Sequence, residues 1–128
     1  MFLLTCCWWK PYRYAEHLTD MYYLIESEDT GLSLCKDDDI DDGGWLIIIG
    51  QTVYAAGYNN DVIIVKQHPH EFSKLIDKTI TNYYILPIKN NPKNEAIGPL
   101  TLKQFNDKRK ELNVPDSLQF TIEFEKLK

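Results

Sequence analysis

Asp37-Asp38-Asp39-Ile40-Asp41-Asp42, followed by Gly43-Gly44, is the densest concentration of ligand-type side chains in the chain. Several carboxylates in one flexible turn suit a hard cation such as calcium, which takes oxygen ligands. The EF-hand spacing fails on inspection. Counted from Asp37, the third and fifth positions are Asp39 and Asp41, but the sixth is Asp42 where Gly is needed and the twelfth is Ile48 where Glu is needed. Counted from Asp38, Gly43 falls correctly, yet Ile40 takes the third position and Ile49 the twelfth. Asp37, Asp39 and Asp41 therefore stand as candidate ligands of a low-affinity cation site outside that pattern. The plainer reading is a solvated acidic loop between strands. His68-Pro69-His70-Glu71 sets two imidazoles and a carboxylate close together, but a zinc centre takes three or four converging ligands. His17 is the only other histidine, no CxxC or HExxH spacing supports a centre, and an exposed loop after a strand end is the plainer reading.

The three cysteines, Cys6, Cys7 and Cys35, form an odd set. Adjacent cysteines pair poorly because the disulfide geometry is strained, so a disulfide scaffold is not expected. Met1-Phe2-Leu3-Leu4-Thr5-Cys6 resembles the end of a bacterial lipoprotein signal, in which aliphatic and small residues precede the cysteine that takes lipid. The match is partial: no basic residue opens it, and the apolar stretch falls short of the usual length of a signal. Cys6 is the candidate lipidation site; the alternative is an ordinary apolar first strand running into Trp8 and Trp9. Cys35 lies in an alternating pattern and reads as a small packed side chain. No nucleophile elbow, phosphate-cradling glycine loop or dinucleotide fingerprint occurs, so neither a catalytic residue nor a cofactor is expected. Trp8, Trp9, Tyr12 and Tyr14 form a candidate contact patch if exposed, and sheet-covering aromatics if buried.

These residues sit in a 128-residue chain with a formal net charge of −5 and a pI near 5.1. That balance disfavours nucleic-acid binding, which needs a basic face for phosphate neutralisation, and favours a protein partner with a basic surface. No apolar run approaches the roughly 20 residues of a membrane-spanning helix. A hydrophobic content of 44% supports a packed globule. The organisation expected is an N-terminal segment at 1–20, a signal remnant or first strand, followed by one domain at 21–128.

The elements follow from periodicity. Residues 11–20 are mixed and read as a helical turn or loop. Met21–Ser27 and Leu32–Cys35 read as strands, and the unbroken apolar run Trp45–Ile49 reads as a central strand covered on both faces. Two β-rich runs flank Asn59-Asn60, residues that tolerate positive φ, which predicts a tight hairpin. Tyr83–Ile88 is the next strand, with Pro87 placing its end near a sheet edge. Thr101-Leu102-Lys103-Gln104 is a capping box. Leu102, Phe105 and Leu112 recur at helical spacing as an apolar stripe, Asn113 suits a C-terminal cap, and Pro115 blocks continuation. Leu118, Phe120, Ile122 and Phe124 alternate with polar residues and predict a final strand. The fold expected is α+β: an antiparallel meander of about six strands with one amphipathic helix near the C-terminus.

The segments YYLI, TVYAAGYNNDVIIVKQHP, TNYYILPI, IGPLTLKQFNDKRKELNVP and QFTIEF, spanning Tyr22 to Phe124, resemble an uncharacterised family of small bacterial proteins of unknown function, often described as lipoproteins. The resemblance implies a β-rich fold with a helix after the Gly-Pro-Leu-Thr step, and a place at the cell envelope. It brings no catalytic or binding residues with it. Two functions are expected from this reading: a non-catalytic binding or structural protein tethered to the envelope, or a soluble cytoplasmic acidic protein, such as an immunity protein or inhibitor, acting on a basic partner.

Overall fold

The computed structural model describes residues 12–27, 31–38, 44–70, 76–125 and 128. Strands β1 (Tyr12–His17), β2 (Tyr22–Ser27), β3 (Gly31–Asp38) and β4 (Gly44–Ile49) form one antiparallel meander in that order. Strands β5 (Val53–Tyr58), β6 (Val62–Gln67), β7 (Asn82–Pro87) and β8 (Ile97–Leu100) form a second meander. The short β9 (Ile122–Glu123) returns beside β5, giving the order β8-β7-β6-β5-β9. Helix α1 (Leu102–Glu111) joins the last two strands. The class is α+β, antiparallel throughout, and the described strands number nine in two sheets where about six in one meander were expected.

One core lies between the sheets. Leu24, Leu32, Leu34 and Ile49 from the first meet Val53, Ile63, Val65 and Leu86 from the second. A second core lies on the far face of the second sheet, where Val62, Ile64 and Ile85 receive Phe105 of α1 together with Val114 and Leu118. Strand β6 is thus covered on both faces, which is why its sequence runs Val-Ile-Ile-Val without alternation. The same logic misplaces β4. Its run Trp-Leu-Ile-Ile-Ile reads as central, yet β4 is an edge strand, with Leu46 and Ile47 44% and 54% exposed. The register with β3 steps from Cys35↔Ile47 to Leu34↔Ile49, so a bulge at Ile48 turns the end of β4 inward and leaves its first part outside.

Other local expectations are refined by the hydrogen bonds. Tyr12–His17 is a strand, closed onto β2 by a turn with Asp20 at positive φ. The Asn59-Asn60 hairpin is present, but neither residue takes positive φ. The Asn59 side-chain oxygen instead accepts from the Asp61 and Val62 amides, replacing backbone strain with a local hydrogen-bonded turn. Strand β7 is interior, with Pro87 as its last residue, where a missing N–H costs no ladder bond beyond it. The capping box of α1 forms in both directions, Gln104 N–H to Thr101 Oγ1 and Thr101 N–H to Gln104 Oε1. At the other end Asn113 adopts positive φ, with its N–H on the Lys110 carbonyl and the Val114 N–H on the Arg109 carbonyl, a Schellman motif. The stripe expected on the helix is narrower than its spacing: Phe105 is buried, while Leu102 and Leu112 are exposed. The helix docks through one turn only. Its C-terminal approach is held by Arg109, whose guanidinium donates to the Pro115 and Leu118 carbonyls and lies over the Phe105 ring. Residues 117–121 lie outside the sheet, so the closing strand is Ile122–Glu123 where a longer alternating segment was expected.

Candidate functional site

Two places combine accessible or unusual side chains. The first is a polar cluster where β5 begins and β6 ends. Gln67 is buried; its side-chain amide donates to the Gly50 and Gln51 carbonyls, and its oxygen accepts from Asn82 and the Tyr84 hydroxyl. On the neighbouring position, Thr52 and His68 exchange both backbone hydrogen bonds. The His68 ring is 3% exposed, stacks on Tyr54 at 4.0 Å with planes 7° apart, and places Nδ1 2.8 Å from the Ile80 carbonyl. A carbonyl only accepts, so Nδ1 carries a proton and donates it to Ile80. Nε2 is buried and has no hydrogen-bond partner among the described residues.

A histidine so oriented resembles a general base or a metal ligand, but either role needs convergent neighbours. Among the described residues, no group of three or more His, Cys, Asp and Glu side chains could hold a metal ion. Asp77 spends its carboxylate on the Thr79 hydroxyl and amide, and those donors hold it below the usual carboxylate range. The visible work of the cluster is mechanical. It ties the turn before β7 to the ends of β5 and β6. The expectation that His68 lies in an exposed loop is overturned by this burial, because the covered face of β6 extends past Gln67 into His68.

The second place is β4, the outermost described strand of its sheet. A groove of about 370 Å³ runs between Leu46, Ile47 and Ile48 on one side and Tyr84, Lys93 and Glu95 on the other. Its floor is fixed by Asn94, at φ 55°, whose side-chain oxygen accepts from the Tyr22 hydroxyl and the Lys36 ammonium, both at 2.9 Å. Asn91 braces the same loop with bonds to the Pro87 and Glu95 carbonyls. One asparagine thereby joins the loop between β7 and β8 to β2 and β3 of the other sheet. Asn94→Gly keeps the left-handed backbone accessible and removes only the acceptor, stranding the buried Tyr22 hydroxyl. The expected loss is about 1–3 kcal/mol in a urea titration. An unchanged midpoint would show that water replaces Asn94 at no cost.

The candidates from sequence distribute as follows. Asp37 is the next-to-last residue of β3, paired with Trp45, and its N–H bonds the Met21 carbonyl. Asp39, Asp41, Cys6, Trp8 and Trp9 lie outside the described residues, as do the side chains of Tyr12 and Tyr14, whose backbones pair with Ser27 and Glu26. Cys35 is a free, buried thiol pushed up to about 11 by its burial, in keeping with a packed rather than a reactive side chain. Gln67, Asn82 and Asn94 carried no signal in sequence, since each is a lone amide whose partners come from distant strands. Leu46 and Ile47 did carry one, apolar residues in a strand, but it pointed to the interior.

No curated protein and no solved structure matches this chain. The family model described as "Protein of unknown function (DUF3997)" matches residues 19–127, a span that takes in the described strands from β2 to β9 together with α1. The chain belongs to that uncharacterised family.

Proposed function

We propose that the protein is a non-catalytic binding or structural module of the bacterial cell envelope, anchored by lipid on Cys6 and making its contact through the edge of β4. The observation that carries this reading is the adjacent exposure of Leu46 and Ile47 on a strand whose outer side borders an open groove. They are consecutive in β4 and point to opposite faces of its sheet, so both faces of this strand carry exposed apolar surface. Support for the anchor comes from the order Leu3-Leu4-Thr5-Cys6, which stands ahead of the matched residues 19–127. None of the helices described is long and apolar enough to cross a membrane, so a lipid would supply the attachment.

The register of β3 with β4 favours a second reading. It sets Asp37 and Asp38, the first two residues of the acidic run, beside Trp45 and Gly44 in a chain of net charge −5. A soluble acidic protein that covers a basic partner would use both features, and salt would slow its association. Metabolic labelling with a fatty-acid probe in the native host separates the two. Labelled protein that becomes unlabelled in Cys6→Ser, and stays labelled in Cys7→Ser, is the expected outcome. Unlabelled wild-type protein recovered in the soluble fraction would overturn the anchor and leave the acidic reading. Contact through β4 is tested by crosslinking in cells: Ile47→Lys should abolish the crosslinked species.

A further inference from the structure

Among the described residues, four buried side-chain atoms have no hydrogen-bond partner, and three of them fall at one place. His68 Nε2, His70 Nδ1 and Gln51 Oε1 all lie within two residues of the Thr52–His68 pair that joins the start of β5 to the end of β6. The fourth, Arg109 Nε, belongs to α1. Buried polar atoms are paired as a rule, so three unpaired ones in one place call for a ligand.

The backbone sets the two imidazoles on one side of the chain. The His68 carbonyl bonds the Thr52 amide next to β5. The next carbonyl, that of Pro69, bonds the Asp77 amide in the segment leading to β7, the opposite neighbour of β6. Successive carbonyls that point to opposite sides mark an extended chain, and side chains two positions apart on such a chain share a face. The His68 ring is clamped there. It stacks on Tyr54, whose hydroxyl lies 3.1 Å from Thr81 Oγ1, and its Nδ1 donates to the Ile80 carbonyl. A neutral imidazole protonated at Nδ1 carries its lone pair on Nε2. Metal-ligating histidines are built in this way, with the second nitrogen anchored so that tautomer and ring orientation are fixed.

We propose that His68 Nε2 and His70 Nδ1 hold a divalent transition-metal ion of the class of zinc and copper. Imidazole nitrogens suit such ions, whereas calcium and magnesium take oxygen ligands. No third His, Cys, Asp or Glu joins the pair among the described residues, so the remaining positions go to oxygen, from water or from the buried Gln51 amide. A position held by water makes the site exchangeable, unlike a closed structural centre. The site neither uses nor requires the contact through β4.

Calorimetric titration of the full chain with zinc tests this, in a Cys6→Ser/Cys7→Ser background so that neither thiolate competes for the ion. One ion should bind per chain with a roughly micromolar dissociation constant, and saturating zinc should raise Tm until EDTA reverses it. His70→Ala should weaken binding about tenfold or more. His17→Ala, at the exposed third histidine, should leave it unchanged. Because His68 is packed in the fold, its part is read on the protein with both histidines present. Electron paramagnetic resonance of the copper-loaded chain should show coupling to two imidazole nitrogens, falling to one in His70→Ala. No binding at millimolar zinc, or binding that His70→Ala leaves unchanged, overturns the proposal. Coupling to fewer than two imidazoles in the copper-loaded chain overturns it too, as does a zinc response that magnesium or calcium reproduces, since carboxylates would then hold the ion. Ile47→Lys should bind zinc as its parent does, so failure of the β4 contact and failure of the metal site are read separately.

Discussion

Gly57→Ala is expected to destabilise the protein by about 3 kcal/mol or more, lowering Tm by roughly 10 °C. Gly57 lies in β5, where a Cβ would sit 2.0 Å from the Gln119 carbonyl oxygen, 2.9 Å from its carbon and 3.3 Å from the Phe120 Cα. All three are backbone atoms, so no side chain can swing aside to admit the methyl group. Glycine here serves close approach of two chains. The segment that covers the helix-facing side of the second sheet passes directly over β5, and Phe120 and Leu118 reach the second core only by that route. Accommodating the methyl group therefore means lifting residues 119–120 and unseating both. Gly50→Ala is the matched control, because a Cβ added there would meet nothing within 4 Å; it should leave Tm unchanged. Equal effects at the two glycines would mean that loss of chain flexibility, and not the close approach, governs both.

Phe105→Ala is expected to cost about 3–5 kcal/mol in an equilibrium denaturant titration. Phe105 is 2% exposed and is the buried residue of α1. Its ring lies 4.9 Å from Tyr83 and 5.9 Å from Phe120, with the Arg109 guanidinium stacked over it. A ten-residue helix is below the length at which helices persist alone in water, so its order depends on this contact. The caps, worth about 1 kcal/mol each, shape the ends but do not replace the anchor. Leu102→Ala, at an exposed position on the stripe expected from spacing, should change stability by less than about 0.5 kcal/mol. A comparable loss at Leu102 would mean the helix packs along its full length.

The contrast between Phe105 and Leu102 shows where the sequence was legible. Local signals held: the Thr101–Gln104 capping box, the Asn113 terminus, the Asn59 hairpin and the strands of β2, β5, β6 and β7 are each written in neighbouring residues. What failed needed knowledge of the second layer. Trp45–Ile49 and Val62–Val65 are both unbroken apolar runs, yet β6 lies beneath two cores and β4 stands at an edge, and no periodicity separates them. The split into two sheets turns on Gly50–Thr52, where the chain crosses from one to the other under the hydrogen bonds of Gln67. Nothing in Gln67 itself announces that role. His68 was readable as a histidine near a proline, but its burial comes from Tyr54, fourteen positions earlier, and from the Ile80 carbonyl. The candidate site followed the same rule: Leu46 and Ile47 were visible as apolar strand residues, and their exposure was not.

The central claim is that the exposed apolar residues of β4 make the protein's contact. Crosslinking in cells, comparing the wild type with Ile47→Lys, tests this directly. The account predicts a crosslinked species that Ile47→Lys abolishes while the thermal transition stays unchanged, because Ile47 is largely exposed. A crosslinked species indifferent to Ile47→Lys would contradict it.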